Sequence, residues 1–186
     1  MSLLVLTDRR QARLPLLETV RAAVEGGARA VVLREKDLPR ARRLALAELM
    51  RAILEPVGGR LIVAGTDPLG GDAVHLSATD PPARGNMRYV GRSCHGAGEL
   101  AEASTVDYVT LSPVFPSVSK PGYGPALGPE QFARLAAGTP GKVYALGGIE
   151  RADQARACRA AGAAGVAVMG AVMRAADPAA AVAELL

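Results

Sequence analysis

Tryptophan is absent from this sequence, and aromatic residues make up only 3% of it. Hydrophobic residues nevertheless reach 49%, so Ala, Val and Leu must build the interior, which suits many short elements packed closely. Chemistry-bearing residues are also scarce. Cys94 and Cys158 lie far apart without metal-ligand spacing, and the two histidines are His75 and His95; neither a zinc site nor a disulfide framework is expected. No run approaches the roughly 20 apolar residues of a membrane span. The chain passes directly from Ser2 into the strand-like LLVL, so the expectation is a cytoplasmic protein with no membrane partner.

Lysine is the next shortage. Of 22 basic residues only Lys36, Lys120 and Lys142 are lysines. The net charge of +4 and pI near 9.4 would suit nucleic acid, but the arginines are spread along helical segments such as Arg40, Arg42 and Arg43, away from aromatics. They read as a solvated face, and no nucleic-acid partner is expected. A small anionic ligand fits the charge equally well. Lys36 and Lys120 follow strand-like segments, where ligand sites of parallel α/β proteins lie and a compact ammonium suits a phosphate.

At 186 residues the length suits one domain, 1–186, with a real core. Strand-like apolar runs are expected at 3–6, 30–33, 61–63, 73–76, 89–92, 107–111, 143–146 and 166–169. Helical spacing is expected at 15–25, 39–54, 97–103, 129–137 and 151–161, with a closing helix capped by Asp177 and Pro178. The stretch between 63 and 73 leaves little room for a helix. Residues 112–128, rich in Pro, Gly and Ser, read as a long binding loop. Eight apolar strands, mostly alternating with helices, predict a small (β/α)8 barrel, with a doubly wound open sheet as the alternative.

Within that pattern, 143–171 reads as a strand, Gly147-Gly148, a helix, a second strand, and Gly170. Each glycine-ended strand lets backbone approach a ligand, and two in corresponding places point to a phosphate site rather than to plain turns.

LTDR at 6–9, LREKDL at 33–38, VHL at 74–76 with Asp80, GRSCH at 91–95, DYVTLSPVFPSVSK at 107–120, ALGGI at 145–149 and GVAVMGAV at 165–172 together resemble the thiamine phosphate synthase and TenI-type thiazole tautomerase superfamily. The resemblance implies a barrel holding a thiazole phosphate at the C-terminal strand ends. Ser117, Ser119 and Lys120 would form one side of the phosphate site, with backbone donors at Gly147, Gly148, Gly170 and Ala171 on the other. An ordinary polar loop is the alternative for the two serines.

The two branches of that superfamily differ in chemistry. Synthases ionise a pyrimidine diphosphate, and the thiazole nitrogen captures the cation, with Mg2+ on the leaving group. Asp80 matches one magnesium ligand, but Ala64-Gly65 stands in place of the Asn-Asp pair and Val32 in place of a glutamine; Asp67 is a distant substitute. Arg34 and Lys36 match and suit a diphosphate. Gly65 and GRSCH look more like the TenI branch, which moves a proton to aromatise a thiazole carboxylate phosphate and needs an acid/base rather than a metal. The histidine usual in the strand-six loop is Pro113 here, which leaves His95 as the candidate acid/base, with an incidental role as the alternative. Ser93 joins the site, His75 reads as core or as support behind it, and Cys94 as a packed side chain.

The sequence therefore favours a TenI-like tautomerase without a cofactor, using His95, Arg34 and Lys36. The alternatives are a thiamine-phosphate synthase with Mg2+ at Asp80 and a non-catalytic phosphate-binding barrel. The expected partner is a small phosphorylated thiazole, and assembly into a homo-oligomer stays open.

Overall fold

The computed structural model describes residues 2–117 and 125–186. Eight parallel strands close into a barrel in sequence order: β1 (Leu3–Leu6), β2 (Ala30–Leu33), β3 (Arg60–Ala64), β4 (Ala73–Leu76), β5 (Tyr89–Cys94), β6 (Tyr108–Leu111), β7 (Lys142–Leu146) and β8 (Gly165–Val168). β8 closes on β1 with Leu4 beside Ala167. The expected barrel is the one found.

Alternation along each strand explains why the runs are apolar on both faces. Leu4, Val32, Ile62 and Ala167 turn inward and pack with Tyr108 and Tyr144 inside the barrel. Leu3, Val31, Val63 and Val166 turn outward into the layer under the helices. The two tyrosines supply the bulk that the small residues leave unfilled, meeting edge to face with ring centroids 5.5 Å apart. Each needs a glycine on the neighbouring strand. Gly91 is paired with Tyr108, and Gly165 with Tyr144; a side chain at either glycine would run into the tyrosine ring.

The outer layer holds α1 (Leu16–Glu25), α2 (Arg40–Leu54), α3 (Ala97–Glu102), α4 (Gly128–Ala137), α5 (Ala152–Ala160), α6 (Gly170–Met173) and α7 (Pro178–Leu185). α1 buries Val20, Ala23 and Val24 and α2 buries Ala47, Met50 and Leu54, the stripes that their 3.6-residue spacing implies. Asp177 caps α7 as expected, accepting the Ala180 N–H at 3.0 Å.

Residues 65–72, after β3, and 77–88, after β4, contain no helix, so this side of the barrel is covered by loops. β5 runs two residues past its expected end, to Cys94, because Ser93 and Cys94 still pair with Thr110 and Leu111. Gly170 does not make the expected turn; it opens α6. The ends of the expected 112–128 loop are tied together, Leu127 N–H to Pro113 O and Gly128 N–H to Val114 O, both at 2.9 Å.

Candidate active site

A cavity of about 330 Å3 opens at the C-terminal ends of the strands, the end of a (β/α)8 barrel where ligands bind. Its lining includes Arg34 and Lys36 from the β2 loop, Ser93 and His95 from β5 and its end, Ser117 from the β6 loop, Gly147 and Gly148 after β7, and Gly170 after β8. Five stretches, from the ends of β2, β5, β6, β7 and β8, thus yield one site.

The β2 loop shows how the charge is arranged. Arg34 and Lys36 line the cavity, while Glu35 between them is 2% exposed and is engaged by Arg9, whose backbone N–H donates at 3.1 Å and whose guanidinium donates at 3.0 Å. Asp37 takes both Arg9 donors, at 2.7 and 2.6 Å. That hydrogen bond, with help from Arg10, holds the Asp37 carboxyl down at about 2. Arg9 and Arg10 therefore occupy the loop's own carboxylates, and among the described residues neither Arg34 nor Lys36 makes an ion pair. Arg34 is steadied instead by its N–H to Thr7 Oγ1 at 2.9 Å and its guanidinium on Met169 Sδ at 2.9 Å. Two cations are left to face a ligand.

The glycine pair faces them from the other side of the mouth. Gly147 has φ +101 and Gly148 φ +65, a region that favours glycine. The β6 loop also presses against them: a side chain at Gly147 would meet Pro113, and one at Gly148 would meet Phe115 and the Pro116 carbonyl. Val114 N–H bonds Leu146 O at 2.9 Å and Phe115 N–H bonds Gly147 O at 3.0 Å. The pair thus seats the β6 loop as well as lining the cavity. Gly170 owes its lack of a side chain to Arg174, whose guanidinium packs over it and bonds Gln11 and Glu150, both at 2.7 Å.

Other expected residues are placed less directly. Ala171 packs into the layer under the helices and is not among the lining residues. Ser119 and Lys120 lie outside the described residues. Asp80 stands behind the lining residues Ser77 and Ala78, accepting the Ser77 N–H at 2.7 Å. Burial pushes its carboxyl up, but the Ser77 hydrogen bonds and the charges of Lys36 and Arg92 outweigh this and leave it below the usual range. His95 lines the cavity with Nδ1 2.9 Å from Glu99 Oε2; the same oxygen accepts the His95 N–H at 2.6 Å, so Glu99 also secures the start of α3. Cys94 is buried, and burial, with the nearby Glu99 charge, pushes its thiol up to about 11, which fits a packed side chain rather than a nucleophile.

A magnesium ion finds little here. Gly65 offers no side chain and has φ +105, a conformation unfavourable to a carboxylate residue. Asp67 is held by Arg40 at 2.7 Å and by Leu69 N–H at 3.0 Å. Among the described residues no group of three His, Cys, Asp or Glu side chains is placed to hold a metal. The donor set does not fit a magnesium ion gripped by two protein carboxylates.

Sequence reasoning missed two partners, Arg92 and Arg174. Arg92 clamps the β4 loop through the carbonyls of Ser77, Ala78 and Asp80, at 3.1, 3.0 and 3.0 Å. Arg174 braces the rim. His75 bridges Ser93 and Tyr108 beneath the cavity. That is the core or supporting role expected of His75, which shares the inward face of β4 with Ala73.

Barrel, cation pair and glycine-lined wall at the C-terminal strand ends are the frame of a (β/α)8 enzyme. The chain matches the thiamine monophosphate synthase (TMP-TENI) family over residues 3–172, and it belongs to that family of thiamine biosynthesis enzymes. It is 41% identical over 190 residues to the putative thiamine-phosphate synthase of Geobacter sulfurreducens, an alignment covering 95% of this chain and 89% of the relative. It is 36% identical to the thiamine-phosphate synthase of Roseiflexus castenholzii, covering 95% and 83%. The solved thiamine phosphate pyrophosphorylase of Pyrococcus furiosus superposes with a TM-score of 0.86 at 30% identity, covering 99% of this chain and 93% of that one. Both sequence relatives carry the synthase name, and the expected leaning toward the TenI branch finds no confirmation in these matches. Among the described residues no helix is long and apolar enough to cross a membrane.

Proposed function

We propose that the protein joins a hydroxymethylpyrimidine diphosphate to a hydroxyethylthiazole phosphate, as its synthase-named relatives suggest. The observation that carries this reading is the pair Arg34 and Lys36, facing the cavity while Arg9 draws Glu35 and Asp37 away. A joining reaction has two anions to hold, the thiazole's phosphate and the departing diphosphate. The Gly147-Gly148 wall, with Ser117, Ser119 and Lys120, suits the first, and the cation pair suits the second.

In this reading the bond between the pyrimidine methylene and the diphosphate oxygen breaks, the diphosphate keeps the electron pair, and the thiazole nitrogen bonds the methylene carbon. Arg34 and Lys36 stabilise the charge that grows on the leaving oxygens. Magnesium belongs to the synthase resemblance rather than to this donor set, in which Asp80 is the one matching carboxylate, and no step is derived through it.

A tautomerase is the second reading, favoured by one observation: Glu99 holds the His95 imidazole at the cavity edge, as an oriented acid/base would be held. Parallel assays separate the two. The protein is offered the pyrimidine diphosphate with the thiazole phosphate, with and without magnesium, and separately the tautomeric thiazole carboxylate phosphate. Coupling supports the synthase reading. Accelerated aromatisation without coupling replaces it with the tautomerase reading.

A further inference from the structure

From the cavity floor three polar side chains form a chain leading inward. His75 Nε2 lies 2.9 Å from Ser93 Oγ, and His75 Nδ1 lies 2.9 Å from Tyr108 Oη. Of the three, Ser93 lines the cavity together with His75, while Tyr108 is 1% exposed. The geometry does not by itself say which atom donates, but the surroundings do.

Tyr108 has one proton to give. Its ring lies between His75, stacked at 5.5 Å, and Tyr89, stacked at 5.1 Å, and Gly91 borders its hydroxyl. Burial pushes the phenol well above its ordinary range, so the proton stays on. Its hydrogen-bond partner among the described residues is His75 Nδ1, and a proton turned elsewhere would be left unpaired in a dry interior. Tyr108 therefore donates to Nδ1.

A neutral imidazole carries one proton. With Nδ1 accepting, that proton sits on Nε2 and points at Ser93 Oγ. Protonation of both nitrogens is opposed: burial above all, then Arg34 and Lys36, and with them Arg92, lower His75 to about 4 against a smaller opposing pull from Asp80. Ser93 Oγ, accepting from the ring, then has its own proton left for the cavity.

We infer that Tyr108 and His75 are positioning residues that fix the Ser93 hydroxyl as a standing hydrogen-bond donor toward an anionic group held by Arg34 and Lys36. The inference rests on the anion-binding part of the proposed function. A serine without this support can spin its proton toward the imidazole and present only lone pairs; the Tyr108 to His75 relay removes that option before the ligand arrives.

The test has two arms on the intact protein. Nitrogen-15 NMR of the imidazoles, with the His95 signals assigned through a His95→Gln variant, reads which nitrogen of His75 bears the proton; Nε2 is expected, and a proton on Nδ1 overturns the relay. Calorimetric titration with inorganic pyrophosphate then compares wild type, Ser93→Ala, Tyr108→Phe and the double variant. Ser93→Ala should weaken binding roughly tenfold, the loss of a hydrogen bond to a charged group. Tyr108→Phe should weaken it several-fold by itself and add nothing in the Ser93→Ala background. Equal losses from Tyr108→Phe in both backgrounds would mean a merely structural tyrosine and overturn the inference. If the wild type fails to bind pyrophosphate while the proton sits on Nε2, the anion-binding reading fails and takes the role of Ser93 with it, leaving the ring assignment intact.

Discussion

Gly91 and Tyr108 face each other across the β5 and β6 ladder, and the tyrosine ring occupies the place where a side chain on residue 91 would begin. Gly91→Ala forces that ring out of a packed barrel, and the expected loss is about 1–3 kcal/mol of folding stability or more. Gly98, in α3, has nothing within 4 Å of where its side chain would be, so Gly98→Ala is expected to be neutral or to stabilise by a few tenths up to about 1 kcal/mol. Chemical denaturation of both variants checks the contrast.

Gly148→Ala combines two penalties, a φ of +65 and a collision with the backbone of Phe115 and Pro116. The β6 loop must lift from its seat, and this loop carries Ser117 to the cavity. Expected together are a loss of roughly 1–3 kcal/mol and weaker binding of the thiazole phosphate, measured by denaturation and by titration.

His75 makes stability depend on pH. Its folded value of about 4 lies below the ordinary 6.5, set first by burial and then by Arg34 and Lys36. Below pH 6.5 the unfolded chain binds a proton that the folded one refuses, so this contribution is complete above 6.5 and is lost as pH falls toward 4. The loss over that window is on the order of 3 kcal/mol. Denaturation midpoints between pH 7 and pH 4 should fall less steeply in a His75→Gln variant; parallel curves would contradict the assignment.

The two proposed anion sites predict different variant effects. Arg34→Ala and Lys36→Ala should each weaken inorganic pyrophosphate binding by roughly tenfold. Lys120→Ala should weaken a phosphorylated thiazole far more than its dephosphorylated form, and equal weakening would contradict the phosphate assignment.

Much of this was legible in the residues. Strands such as AVVL at 30–33 are apolar on both faces because helices cover one side and the barrel interior the other, so eight of them imply closure. Gly147-Gly148 and the Arg34, Lys36 alternation also pointed to the cavity. What stayed hidden depends on distant contacts. Nothing local to Gly91 announces Tyr108, 17 positions away, and nothing in REKD says that Arg9 will claim Glu35 and Asp37. Asp80 looked like a metal ligand in sequence, but its carboxylate closes its own loop on Ser77. His95 was legible as a loop histidine, but nothing in GRSCH says that Glu99, one helical turn on, will hold its imidazole. In both cases the residue type was visible and the partner was not.

In the proposed reaction one cavity holds a diphosphate against Arg34 and Lys36 and couples its departure to bond formation with the thiazole. The most direct measurement follows pyrophosphate and thiamine phosphate together by mass spectrometry, in reactions holding both substrates or either one alone. A synthase of this kind yields one thiamine phosphate for each pyrophosphate released, only when both substrates are present. Release from the pyrimidine diphosphate alone, or no thiamine phosphate with both, would contradict it.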